Sequence, residues 1–527
     1  MQITYFQARR MANLYGLRTD APTLRALDTL IRGKKLGVEE LRHLIPGSSR
    51  QVMVFDPHTG TPTGLVPHIK MNYAATKPTI LPVLDTTTHL ELLRENVGRS
   101  AGPDAEVMSQ ALEEARDIVG RFVGYNRDRD VVVFVENTTA AMNLLVRKAV
   151  ANNPNLHFVV SLAAHHSTQL PARETGHFHF FRLKPDGSYD LNSLEDELIS
   201  AKKLGTKVIL CIESESNVTG IKNPIKEICA LADMYDVTVF IDHAQGGSNI
   251  PINLTELPGE VYVAISGHKL YGPTGSGAVI GPMELFIGPA LNPGGGEVSG
   301  VTSEKIFYSK PPHNCEAGTP AFIAQIGFAK ALSLLMEVGL ENIAERERQL
   351  LTTFWPKLLS VEGLQVLGGQ DLSAFPRGPV VSFRLQNLEG TDFIAPGFIG
   401  YALQAFYGVD SRVGQFCAHT FIYHLLGIDI GLANKHAELH AALGKAGCAA
   451  LEGDQHFHST RFSWAFPTTD AELSALPDML REIQHLWPNN SVLQLDKNRG
   501  AFHIPGQPNI LTEGTFSLQR RTPYLKL

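Results

Sequence analysis

The stretch "ISGHKLYGPTGSG", Ile265 to Gly277, sets a lysine directly after a histidine. It lies between the run "EVYVAIS" and a second short run, "SGAVIG". Both runs carry the β-branched and small apolar residues of buried strands. An ammonium trapped between core strands loses its hydration, so Lys269 needs either a route to water or a chemical task.

Outward from this stretch, helix and strand alternate from about residue 105. "DAEVMSQALEEARDIVGRFVG", "TTAAMNLLVRKAV", "LNSLEDELISAKKLG" and "PIKEICALADMYD" have helical spacing, and "DVVVFVEN", "HFVVSL", "KVILCIES" and "VTVFIDHAQ" read as strands. Such alternation predicts an α/β fold with a mostly parallel sheet covered on both faces. Ligands of these sheets sit beyond the carboxyl ends of the strands. Thr138, Asn217, Asp242 and Lys269 all fall just past strand ends.

At 527 residues the chain is long enough for two or three packed units. Residues 1–65 read as an irregular N-terminal extension, with a solvated helical character. The large domain is expected over 66–335. Beyond it the texture changes to a long polar helix, "EVGLENIAERERQLLTTFWPKLL", then "PVVSFRL" and further short elements. These predict a smaller C-terminal α+β domain over 336–488, with an insertion around 424–458. Residues 489–527 read as a tail draped on the surface.

The net charge of −7 argues against nucleic-acid binding. Nothing approaches the roughly 18 consecutive apolar residues of a membrane span. The first 35 residues hold seven Lys/Arg against Asp20 and Asp28 and lack the apolar core of a secretory signal. A cytoplasmic protein is expected, with an organellar presequence as the alternative. The five cysteines form no CxxC pair, a pattern of free thiols in a reducing compartment.

Asp242 closes the strand "VTVFID", 27 residues before Lys269, and Gln245 follows it. A cofactor ring with a basic nitrogen needs an anion to keep that nitrogen protonated, and its phenolic oxygen needs a donor. Pyridoxal phosphate presents both requirements, and a lysine holds its aldehyde as a Schiff base. Its phosphate suits hydroxyls and free N–H groups at a helix N-terminus. Thr138 and Thr139 are placed for that, with Ser266 and His268 beside the lysine. Each residue alone also has a plain structural reading, Asp242 as a cap of the next turn among them.

"IDHAQGG…ISGHKLYGPTGSG" resembles the fold-type I, class V pyridoxal-phosphate enzymes, and within them the group II cysteine desulfurases and selenocysteine lyases. The resemblance runs from about Met71 to Leu476, through "MNYAATKP", "ENTTAAMN", "AAHHSTQLPAR", "SESNVTG", "EAGTP", "RVGQFCA" and "RFSWAFPTTDAEL". It implies a fold-type I transferase with a seven-stranded, mostly parallel sheet. It further implies that Lys269 binds the cofactor aldehyde, Asp242 pairs with the ring nitrogen and Gln245 with the phenolic oxygen. His165 would stack on the ring and Asn217 would lie near it and the substrate carboxylate. Thr138, Thr139, Ser266 and His268 would bind the phosphate. Thr319 would reach the phosphate site of a second subunit, because the family forms dimers with shared sites. Arg461 would grip the substrate α-carboxylate, with Arg412 nearby, and Cys417 would be the nucleophile that takes the sulfur.

The pattern departs from the family in four places. Asn137 and Ala140 flank the two threonines where glycine and glutamate are usual, and Ala164 stands before His165 where an acid is frequent. Gln415 and Phe416 precede Cys417 where many members have histidines. Forty-three residues separate Cys417 from Arg461, far more than the family's short link. That segment holds His424, His436, His440, His456 and His458. His436 and His440 share helical spacing, but without a third ligand at a convincing spacing no metal is assigned. The expected reaction is L-cysteine to L-alanine with a persulfide on Cys417, passed to a sulfur-acceptor protein. A class V epimerase, a C–S or β-lyase, or an aminotransferase stands as the alternative, and a non-catalytic scaffold as the third.

Overall fold

Seven strands form the central sheet: β1 (Asp130–Val135), β2 (Leu156–Ser161), β3 (Phe178–Phe181), β4 (Lys207–Glu213), β5 (Thr238–Asp242), β6 (Val261–Ser266) and β7 (Gly277–Pro282). Their order is β1-β7-β6-β5-β4-β2-β3. β7 alone runs opposite to the other six strands. The computed structural model describes residues 5–98, 101–449, 453–496 and 500–506.

Strand alternation explains why these segments read as near-continuous apolar runs. Val132, Phe134, Val159, Leu210, Ile212, Val239, Ile241, Val263 and Ile265 enter one core. Their sequence neighbours Val133, Phe158, Val160, Ile209, Cys211, Phe240, Tyr262 and Ala264 enter another on the opposite face. Both faces are covered, as a parallel sheet requires. The edge strand β3 escapes the sequence reading. It is four residues long, His179 interrupts its apolar residues and His177 immediately precedes it.

A second core gathers around a four-stranded antiparallel sheet: β8 (Leu364–Val366), β9 (Val380–Leu385), β10 (Arg412–Gly414) and β11 (Ser459–Ser463), in the order β8-β9-β11-β10. Phe383, Phe462, Trp464, Phe354 and Trp355 fill it. The polar helix expected from Glu337 instead begins at Leu340. Helix Phe322–Val338 ends there, and the chain bends by 75°. Gly339 makes the bend at φ 90°, where a side chain is strained. Among the described residues no single helix is long and apolar enough to cross a membrane.

Two expectations are overturned. Residues 5–65 are not irregular, and one face of their helices is buried rather than solvated. They form helices Tyr5–Leu14, Ala21–Ile31 and Val38–Arg42 and the hairpin Gln51–Phe55/Pro62–Pro67. Asp20 caps the second helix by accepting from Thr23 N–H at 3.0 Å. Ala12, Ala26, Leu27 and Leu41 are fully buried and join the core of the large sheet. The tail is likewise packed over its described residues 489–496 and 500–506. Val492, Leu493 and Ile504 enter the second core, and Gln494–Asp496 pairs with Ala501–His503. Residues 507–527 lie outside the described residues.

Candidate active site

Lys269 stands in a single turn, Gly267–Lys269, that follows β6 at its carboxyl end. The segment around "MNYAATKP" locks this turn. Lys77 N–H donates to the His268 carbonyl at 2.9 Å, and the Thr76 hydroxyl reaches it at 3.3 Å. Gly277 lies so close to Asn137 that a Cβ would meet the Asn137 Cα at 2.9 Å, so β7 presses onto the loop after β1. That loop opens the helix Thr138–Asn152. Asn137, extended at φ −174°, caps the helix by accepting from Ala140 N–H at 3.0 Å. The extended backbone needs no glycine there, so this departure from the family pattern costs nothing.

These elements enclose a cavity of about 460 Å³. It brings together Lys269, Asp242, Gln245, His165, Asn217, Thr138, Thr139, Ser266, His268, Arg412, Cys417 and Arg461. Thr319 is the exception: it is exposed and does not line this cavity. A wider, mostly apolar vestibule of about 830 Å³ shares Thr139, His165, Ser167 and Cys417 with it.

Asp242 closes β5 and is buried. Its Oδ2 accepts from the hydroxyls of Ser167 and Thr168 at 3.1 and 2.9 Å, and its Oδ1 accepts from Ala244 N–H at 3.0 Å. It therefore caps the following turn while keeping a face on the cavity. His165 takes Ser167 N–H on Nδ1 at 3.1 Å, which leaves its proton on Nε2. Burial, with the charge of Lys269, pulls His165 down to about 4, so it is a neutral ring. Burial also pulls Lys269 down to about 8. Asp242 opposes the shift, and Arg461, Lys77 and Arg412 add to it.

Arg461 projects from β11 with 1% of its surface exposed. Its Nη1 donates to the Asn217 carbonyl at 2.8 Å, its Nη2 to Asn72 Oδ1 at 3.4 Å, and its guanidinium lies 4.7 Å from the Phe416 ring centroid. Its Nε has no partner. Burial pulls Arg461 down to about 9, and the nearby Cys417 supports its charge. Cys417 and Phe416 adopt the left-handed region at φ 57° and 53°. His166 N–H holds the Cys417 carbonyl at 2.8 Å, and Asn217 Nδ2 holds the Phe416 carbonyl at 2.8 Å. Two successive non-glycine residues in this region cost of order 1–2 kcal/mol each, and these bonds offset that cost.

Sequence reasoning missed several groups. Ser167 and Thr168 carry no charge and gain meaning only from their contact with Asp242. Glu213 and Glu215 also line the cavity, and burial pushes them up to about 7 and about 8. An acid closing the apolar run "VILCIE" was the available signal.

Residues 69–475 match the family described as class-V aminotransferase. The chain belongs to that family. Among curated class-V relatives it is similar to a probable cysteine desulfurase of Mycolicibacterium paratuberculosis, 34% identical over 68% of this chain and 51% of the relative. It is also similar to a probable cysteine desulfurase of Streptomyces coelicolor, 32% identical over 66% of this chain and 83% of the relative. The match thus spans about half the length of the first relative. The class-V fold is shared with solved cysteine desulfurases from Thermococcus onnurineus (TM-score 0.67, 24% identity, 79% of this chain and 95% of that one) and Escherichia coli (TM-score 0.64, 24% identity, 80% and 95%).

Proposed function

We propose that this class-V chain is a pyridoxal-phosphate-dependent cysteine desulfurase that converts L-cysteine to L-alanine and takes the sulfur onto Cys417. The observation that carries the reading is the meeting of Cys417 with Lys269, Asp242 and Arg461 in one cavity. The cavity suits the cofactor. The Thr138 and Ser266 hydroxyls are buried and lack partners, which fits a phosphate still to be met. Gln245 lines the same cavity and carries an amide N–H2 of the kind a phenolic oxygen requires. Thr138 also opens a helix, whose N–H groups favour an anion. Thr139, His268 and Lys269 would complete the holding set, and the neutral ring of His165, which lines the same cavity, would stack on the group. When bound, pyridoxal phosphate supplies the electron sink that makes the substrate Cα–H acidic.

The chain's own groups do the rest. Asp242, fixed by Ser167 and Thr168, presents a negative charge where the ring nitrogen would lie. Lys269, with a pKa near 8, takes a proton from the substrate α-carbon and returns one to the product at neutral pH. The unpartnered Nε of Arg461 and its second face serve the α-carboxylate, with Asn217 and Arg412 beside it. Cys417 Sγ takes the substrate sulfur as a persulfide while the substrate Cβ–S bond breaks, and Arg461 and Arg412 line the same cavity.

A second copy is part of this reading. Thr319 is exposed, as a residue serving another subunit's phosphate site would be. The hairpin Val298–Val301/Ile306–Tyr308 also presents Val301, Ile306 and Phe307 to solvent at 61, 56 and 53% exposure. We further place the protein in the reducing cytoplasm with a sulfur-acceptor protein as partner. The free thiols Cys211, Cys229, Cys315 and Cys417 support the compartment.

The test is incubation of loaded protein with a panel of amino acids, L-cysteine first, assayed for alanine, sulfide, pyruvate and racemised product. Equimolar alanine and sulfane sulfur from L-cysteine are expected. Pyruvate would mark a β-lyase, and racemised or keto-acid products an epimerase or aminotransferase. Borohydride reduction and peptide mapping should put the pyridoxyl label on Lys269. A label on another lysine overturns the assignment.

A further inference from the structure

The segment between Cys417 and Arg461 brings three imidazoles together. His436 and His440 lie one turn apart on helix Ile430–Ala449, and His458 immediately precedes β11. One ring nitrogen from each lies within 4.8 Å of the others. From the arrangement of these atoms we infer a divalent transition-metal site, with zinc as the fitting ion, held by His436, His440 and His458.

Several features of a built site accompany the cluster. His436 is 5% exposed, and its ring stacks on Phe457 at 3.9 Å and 7°. Its Nδ1 lies 2.9 Å from the Tyr423 hydroxyl. In the tautomer that donates Nδ1–H to that oxygen, Nε2 is the unprotonated nitrogen, and such an outer hydrogen bond is what orients metal-bound histidines. The three ring centroids are 5.3, 5.6 and 6.1 Å apart. Ligands about 2.1 Å from zinc stand roughly 3.4 Å apart in a tetrahedron, so closure needs a side-chain movement of about an ångström. Three imidazoles suit zinc among the first-row cations and leave a fourth position for water.

The placement gives the ion a task. It would tie the inserted helix to β11, three residues before Arg461, and so brace the substrate side of the cavity. His419, two residues past Cys417 and in the helix His419–Leu425 that leads into the insertion, meets the His166 ring at 4.6 Å, so this helix touches the segment that carries His165.

The test uses full-length protein without a polyhistidine tag, stripped with a chelator and titrated with Zn²⁺ against a chromophoric competitor. One tight equivalent per chain is expected. His440→Ala and His458→Ala should lose it, and Tyr423→Phe should weaken it roughly 10–100-fold. His424→Ala, outside the cluster, should bind as the parent does. Binding that is absent in the parent, or equal in the parent and the His440→Ala/His458→Ala double variant, overturns the site. Co²⁺ added to the unaltered protein gives a check free of folding effects. Intense visible bands of a four-coordinate nitrogen-rich site support the proposal, and a spectrum as weak as aqueous cobalt overturns it.

Discussion

Thr168 donates its hydroxyl to Asp242 Oδ2 at 2.9 Å, from a helix that is not part of the sheet Asp242 closes. Charged hydrogen bonds of this kind contribute about 1.5–3 kcal/mol each. Thr168→Val keeps the shape and removes the donor. It should lower kcat roughly tenfold or more while leaving cofactor content intact. Thr168→Ser should restore most of the loss. Full activity in the valine variant would show that Asp242 needs no such orientation.

The basicity of Lys269 should answer to Arg412. Asp242 favours its ammonium, whereas burial and the charges of Arg461, Lys77 and Arg412 disfavour it. The reactive neutral amine therefore grows in as pH rises through about 8. Arg412→Gln removes one opposing cation, so the ammonium becomes easier to keep and the midpoint moves to higher pH. Arg412→Lys keeps the charge and should hold the midpoint. Amine-selective labelling of Lys269 in cofactor-free protein, followed by peptide mass against pH, reads this directly. An unmoved midpoint in the glutamine variant would remove Arg412 from the account.

Cys417→Ala should still show the spectral change on adding L-cysteine, because on the proposed reading binding would rest on Lys269, Arg461 and Asn217. It should form no persulfide, and sulfur release should fall at least about a hundredfold. Undiminished release would sink the nucleophilic role of Cys417 and leave the cofactor site standing.

Gly339→Ala tests the bend between the two long helices. At φ 90° an alanine is strained, and its Cβ would meet the Asn342 amide at 2.9 Å. A loss of about 1–3 kcal/mol is expected, read as a lower urea midpoint with an unchanged slope. A midpoint equal to the parent's would show that the bend relaxes at no cost.

What was legible in the sequence follows physical rules. Lys269 and Asp242 stand out because charges at the ends of apolar strands are costly unless used, and a doubly covered sheet makes those strands long and plain. The strand Phe178–Phe181 was hidden because an edge strand with alternating histidines carries little apolar signal. The first 65 residues looked irregular because their helices are short and broken by Pro and Gly, although Leu24, Leu27 and Leu41 pack into the main core. His458 could not be joined to His436 and His440 from spacing. The contact depends on how the inserted helix folds back on β11.

The clamp on residues 416 and 417 bears on how sulfur would leave. Their carbonyls are held from two sides, by Asn217 and by His166, and both residues sit in a strained backbone region that such bonds maintain. A cysteine so tethered is a fixed berth rather than a swinging arm. On the proposed reading, cargo docked on it would have to be collected in place, by a visitor slim enough to come down the apolar approach lined by Leu170, Pro171 and Leu291.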